Sequence, residues 1–159
     1  MSNLEDLVDR LIRAQMEFVI VGGFAVLAHG ASMMTEDVDV CCPFSERNMN
    51  ALWSAVRDLH PVHRMTPQRL PFEVTPELCV NLKNLYLATD LGKLDCLGEI
   101  PGVGAFDEVH RKSVEIRFES GACRVLGIDA LIDAKLTTNR TRDRMAVLQL
   151  KAIKERTGA

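Results

Sequence analysis

The stretch Val19–Cys41, VIVGGFAVLAHGASMMTEDVDVC, decides the fold. Its opening, with Phe18 before it, is a short β-branched run stopped by Gly22-Gly23, the pattern of a buried strand. Phe24 to His29 is compact and rich in Ala and Leu, and Gly30 closes it, so a short helix is expected there. From Asp37 to Cys41 acidic and apolar residues alternate with period two, which predicts a second strand. On such a strand Asp37 and Asp39 share one face, with Cα atoms about 6.5–7 Å apart. Val38 and Val40 face the other way, into the core.

Two carboxylates so close repel unless cations lie between them. Magnesium prefers hard oxygen ligands and is commonly held by one or two carboxylates together with phosphates. Two ions about 3.5–4 Å apart can activate an attacking oxygen and steady a leaving one. Gly22 and Gly23 stand where a strand passes into a helix, and glycine there lets a phosphate approach the backbone. Either feature alone is common: Gly-Gly makes tight turns, and surface acidic pairs are frequent. Together, about fourteen residues apart, they point to a phosphoryl-transfer site. A calcium loop is disfavoured because the Asp pair lies on a strand, outside any twelve-residue loop.

The flanking sequence completes an α/β domain. Leu4, Leu7, Val8, Leu11 and Ile12 recur at helical spacing, with Ser2 and Glu5 resembling a capping box. Ser45 can cap a helix presenting Met49, Leu52, Trp53, Val56 and Leu59 on one face. His60 to Pro76 carries four prolines and little periodicity, so a loop or edge segment is expected. Asn84–Ala88 and Lys93–Leu97 read as a hairpin across Thr89-Asp90-Leu91-Gly92, and Ser113–Phe118 with Ala122–Leu126 as another. Pro101-Gly102-Val103-Gly104 reads as a flexible loop, and helices over Asp129–Thr137 and Thr141–Arg156 finish the chain. The expected architecture is one domain over residues 1–159, a mixed β-sheet flanked by helices.

Asp95 lies between Leu94 and Cys96 in a segment otherwise fit for burial, so it needs a metal or a basic partner to stay charged. It is the candidate third carboxylate; the alternative is a salt bridge to Lys93 or Arg117. His29 reads as a cap or packing residue, and the His60/His63 pair lacks the further ligands of a metal site.

Composition sets the class: 47% hydrophobic and 26% charged residues describe a globular chain. No apolar run approaches a membrane span, and the charged amphipathic start is unlike a signal peptide. Cys41, Cys42, Cys79, Cys96 and Cys123 have no zinc spacing and read as reduced core thiols, which implies the cytoplasm. The net charge of −3 gives no general reason to bind nucleic acid. Between Lys135 and Arg156, however, seven basic residues face only two acidic ones, either a solvated helix face or an anion-binding surface.

The runs V-G-G-F-A-V-L-A-H-G and T-E-D-V-D-V resemble the first motif of the polymerase-β-type nucleotidyltransferase superfamily. Within it the chain most resembles the minimal bacterial nucleotidyltransferases and the toxin component of type IV abortive-infection toxin–antitoxin systems. The resemblance continues through T-D-L-G-K-L-D-C-L-G and V-L-G-I-D-A-L-I-D-A-K-L-T-T-N-R-T-R-D-R, and is poor from His60 to Asn81. It implies a transferase moving a nucleoside monophosphate from a triphosphate such as ATP onto a hydroxyl of RNA (a tRNA end included), protein or a small molecule. It further implies Asp37, Asp39 and Asp95 as catalytic metal ligands for two Mg2+ ions, with Mn2+ as a substitute, and Asp95 at the acceptor hydroxyl. Gly22 and Gly23 would touch the triphosphate, Lys135 and Arg142 would meet phosphate or base, and Asp143 would position the lysine. An antitoxin-like protein partner also follows from that branch. Two departures stand out: Met33 occupies a position where relatives often carry arginine, and Ala146 one where they often carry an acid. Both remove polar contacts, which leaves a catalytically weakened nucleotide-binding or regulatory module as the alternative.

Overall fold

A computed structural model describes residues 3–158; Ser2, and with it the proposed capping box, lies outside them. Helix α1 (Asn3–Arg13) leads through a loop to β1 (Val19–Val21), α2 (Gly22–Ala28) and β2 (Asp37–Cys41). Then come α3 (Glu46–Val56), β3 (Val62–His63), α4 (Pro76–Asn81), β4 (Asn84–Thr89) and β5 (Gly92–Leu97). The chain continues through β6 (Glu99–Ile100), β7 (Gly104–Ala105), α5 (Phe106–Arg111), β8 (Ser113–Phe118), β9 (Gly121–Leu126), α6 (Ile128–Thr138) and α7 (Thr141–Thr157). The main sheet has the order β3-β4-β5-β2-β1-β9-β8, while β6 and β7 form a separate ribbon. It is mixed: β2 runs parallel to β5, β1 parallel to β9, and β1 antiparallel to β2.

Register sets which residues meet. Asp39 stands opposite Asp95 across β2 and β5, and opposite Val21 across β2 and β1. Val38, Val40, Leu94 and Cys96 are fully buried on these strands. Burying each valine or leucine contributes about 1.5–3 kcal/mol, which fixes the strands and leaves the intervening carboxylates no freedom to turn inward. Helix α1 packs on β2, β5 and β9 and against α3, burying Leu7, Val8 and Leu11 completely. The fully buried Asp9 of α1 accepts hydrogen bonds from the amide (3.0 Å) and hydroxyl (2.5 Å) of Ser120 in the β8–β9 turn, latching α1 to the edge hairpin of the sheet.

Both expected hairpins form, closed by the pairs Thr89↔Gly92 and Phe118↔Gly121. Ser45 caps α3 by accepting from the Asn48 amide at 3.1 Å. The proline-rich segment holds more order than its sequence suggests: β3 joins the sheet edge, and Thr75 caps α4 with Pro76 at its first turn. The expected loop is a tight turn over residues 101–103 between β6 and β7, closed by a hydrogen bond from the Val103 amide to the Ile100 carbonyl at 3.0 Å. Four cysteines are buried and Cys79 is half-buried, all with free thiols. Among the described residues no helix is long and apolar enough to cross a membrane.

Candidate active site

Asp37, Asp39 and Asp95 come together, each offering a carboxylate oxygen within 4.8 Å of the others. Asp95 is 7% exposed and the other two are half-buried. Burial, the charges of Asp95 and Asp37, and a hydrogen bond to Asp95 push the Asp39 acid up to about 7, against a smaller opposing pull from Lys135. Asp39 Oδ1 is buried without any hydrogen-bond partner. Three hard oxygen donors, with an orphaned oxygen on the central carboxylate, fit a divalent cation; among the described residues they are the only acidic, His or Cys cluster that does.

The glycines lie against this cluster. Gly22 begins α2 with a left-handed φ of +67°, and a Cβ placed there would overlap the Asp39 carboxylate. Two needs therefore coincide at one residue: a backbone conformation costly for side chains, and room for the central acid. A Cβ at Gly23 would lie 3.3 Å from Thr35 Oγ1 and 3.4 Å from Arg142 Nη2. Arg142 is exposed and reaches over this turn, donating to the Met34 carbonyl at 3.4 Å. Thr35 pins the start of β2 by accepting from the Asp37 amide at 3.3 Å.

Opposite Asp39, α6 presents Lys135, whose Nζ is 3.4 Å from Asp143 Oδ1, with side chains 12% and 0% exposed. Helix α6 ends at Thr138 and Asn139 turns left-handed with φ 47°. Arg140 then caps α7, and Asp143 in its first turn accepts from the Arg140 amide (3.1 Å), Arg140 Nε (2.8 Å) and the Thr138 hydroxyl (2.6 Å). Burial opposes ionisation of Asp143, but the Arg140 and Thr138 hydrogen bonds and the Lys135 charge outweigh it and hold the acid well below its ordinary range. One carboxylate thus caps α7, ties it to α6 and orients Lys135. A cavity of about 140 Å³ lies between Gly22 and Asp39 on one side and Lys135, Thr138 and Arg140 on the other. Larger grooves elsewhere, about 770 Å³ beside Met33 and Phe118 and about 520 Å³ beside Phe106 and Arg124, adjoin no comparable acidic cluster among the described residues.

Neither sequence-based partner of Asp95 meets it. Lys93 Nζ lies 3.9 Å from Glu36, and Arg117 is exposed on β8, four strands away. The partner is Arg64, beyond β3, whose Nε (3.2 Å) and Nη2 (2.5 Å) donate to the two Asp95 oxygens. It lies in the segment where motif resemblance is poor, and no local signal marks it. Arg140 and Thr138 were missed too: the reciprocal Arg140–Asp143 cap lacks the Ser or Thr followed three residues later by Glu or Gln that marks a capping box in sequence. His29 donates through Nε2 to the Leu126 carbonyl at 2.8 Å, a packing role. His60 pairs with Asp90 at 2.6 Å while His63 stacks edge-on against Phe72 at 5.9 Å, so the two histidines serve separate neighbours. Met33 lines the larger groove, and Ala146 is buried in the core.

No sequence family matches the chain, nor does any curated protein. Solved structures do. The lincomycin-bound lincosamide antibiotic adenylyltransferase LnuA superposes with a TM-score of 0.61 at 14% identity, over 95% of this chain and 96% of that one. The antibiotic-resistance factor ANT(2'')-Ia, in complex with adenylyl-2''-tobramycin, gives 0.56 at 15% identity, over 98% and 99% of the two chains. TM1012 of Thermotoga maritima, assigned to the nucleotidyltransferases, gives 0.56 at 16% identity, over 96% and 91%. The chain has the nucleotidyltransferase fold.

Proposed function

We propose, from this fold and its acidic cluster, that the protein is a divalent-metal-dependent nucleotidyltransferase moving a nucleoside monophosphate from a triphosphate onto a hydroxyl. The observation that carries the reading is the convergence of Asp37, Asp39 and Asp95, with oxygens within 4.8 Å of one another, together with an Asp39 oxygen that has no protein partner. Asp37 and Asp39 would hold Mg2+ or Mn2+, with Asp95 available to a second ion. When bound, such ions supply charge neutralisation on the triphosphate and polarisation of the phosphorus attacked.

Gly22 and Gly23 give the triphosphate access to the backbone beside Asp39. Lys135, aimed by Asp143, offsets phosphate charge from the opposite wall, and Arg142 does so from beside the Gly22-Gly23 turn. Asp95 would orient the acceptor hydroxyl and take its proton. Nucleotidyl transfer asks for positioning and charge neutralisation without a covalent enzyme intermediate, and nothing in this set need act as a nucleophile.

The adenylylated tobramycin and the bound lincomycin of the structural neighbours favour a small hydroxyl-bearing acceptor. The basic residues of α7, beside exposed Met145 and Leu148, favour a macromolecule, either RNA or protein. A toxin-like role with an antitoxin-like partner would use that same helix. The second reading, a weakened nucleotide-binding module, draws on Met33, Ala146 and the Arg64 fork on Asp95.

Calorimetry with Mg2+ and each of the four triphosphates tests binding. Transfer is tested by incubating triphosphates labelled at the α-phosphate with total RNA, total protein, and aminoglycoside and lincosamide panels. Label on one acceptor class, lost in Asp39→Ala, is the expected result. Absence of triphosphate binding refutes the transferase; binding without transfer to any acceptor supports the second reading.

A further inference from the structure

Arg64, Tyr86, Asp95, Asp39 and Val21 form a row across the sheet. Tyr86 faces Asp95, Asp95 faces Asp39, and Asp39 faces Val21 in the strand register. Arg64 follows β3 and reaches the row from the sheet edge, its amide donating to the Tyr86 carbonyl at 3.1 Å. Its guanidinium carbon lies 5.5 Å from the Tyr86 ring centroid, a favourable cation–π distance. With the two-point hold on Asp95, at 17% and 11% side-chain exposure, the arginine is fixed from three directions.

Charge in the acidic cluster is therefore unequally shared. Asp95 has a built-in cation on both its oxygens, whereas among the described residues neither Asp37 nor Asp39 has an ion-pair partner. A planar guanidinium matched side-on to a carboxylate is the strongest of ordinary ion-pair geometries. A second divalent ion shared between Asp39 and Asp95 would have to displace or repel it.

We propose that Arg64 is a resident counter-cation of Asp95 that competes with a second divalent ion, so that the site loads one ion tightly on Asp37 and Asp39 and a second only as Arg64 withdraws. The proposal rests on the metal-dependent reading above. Arg64 acts through Asp95 and is a positioning residue: its fork also fixes the rotation of the carboxylate that faces the acceptor.

The test is a Mn2+ titration of the nucleotide-free protein, followed by calorimetry and by paramagnetic resonance of free Mn2+, for the wild type, Arg64→Gln, Arg64→Lys and the double variant Arg64→Gln/Asp95→Asn. The wild type should show one tight ion and a second at least about tenfold weaker, a fraction of the effect of one close charge pair near a protein surface. Arg64→Gln should bring the second ion close to the first, Arg64→Lys should restore much of the gap, and the double variant should lose the second ion. Equal loading of two ions by the wild type, or a second-ion affinity unchanged in Arg64→Gln, would overturn the proposal while leaving the transferase standing. No Mn2+ bound by any of the four chains would overturn the metal-dependent reading itself. Thermal unfolding in chelator separates a merely structural role, which would lower the melting temperature without moving the ion count.

Discussion

Replacing Asp39 by asparagine should make the metal-free protein more stable. Asp39 is held at about 7 against an ordinary 3.8, through burial and the charges of Asp95 and Asp37. At about 1.4 kcal/mol per pH decade, that displacement corresponds to about 4 kcal/mol of strain in the ionised site, a large share of the 5–15 kcal/mol typical of a domain. The sign follows from proton binding. Between about pH 4 and 7 the folded acid keeps its proton while the unfolded one has lost it, so stability falls as pH rises through this window and is level above it. Asparagine carries no charge but retains the burial of a polar group, so a gain of about 2–4 kcal/mol is expected at pH 8, or about 5–15 °C in melting temperature for a chain of this size. The assay is thermal unfolding of both proteins in chelator from pH 4 to 9, read as the difference between them. That difference should be small near pH 4 and full by pH 8. Adding Mg2+ at pH 8 should raise the wild type and leave the variant nearly unmoved. A variant no more stable than the wild type at pH 8, or a difference flat across pH, would refute the reasoning.

Gly22→Ala combines a left-handed backbone costing about 1–2 kcal/mol with a displaced Asp39 carboxylate; unfolding should show the loss, and nucleotidyl transfer unchanged from wild type would remove Gly22 from the site. Asp143→Asn breaks a buried carboxylate's hold on Lys135 and Arg140 and should cost about 3 kcal/mol at neutral pH. Because Asp143 is held below its ordinary range, that stabilisation is present above about pH 4 and is lost on acidification, so the gap between the two proteins should close toward pH 2. His29→Ala loses one hydrogen bond to Leu126, about 1 kcal/mol, with transfer intact; a rate reduced beyond tenfold would return His29 to the chemistry.

The parts of this fold that sequence reveals are those whose cause is local. Val19–Val21 and Asp37–Cys41 announce themselves by alternation and branching, and both hairpins by their short turns, so the Asp37/Asp39 face follows directly. The placement of Asp95 opposite Asp39 was legible only as an acid in an apolar strand; its alignment needed the β2–β5 register. Arg64 was not legible at all. It lies 31 residues from Asp95, and their meeting depends on two intervening strand pairings that no local pattern encodes. Helices α4 and α5, six residues each, are too short for a period of 3.6 to emerge, and α4 rests on a threonine cap and a proline instead.

Asp39, on the cavity wall, and Asp143, buried behind Lys135, differ in what the fold itself asks of them. Asp143 caps a helix, joins α6 to α7 and holds Lys135, so a chain that had abandoned its chemistry would still be selected to keep it. Asp39 stabilises nothing in the metal-free fold, and random substitution would tend to replace it with something the core tolerates better. Of these two acids, the one folding would discard is the more telling witness to use.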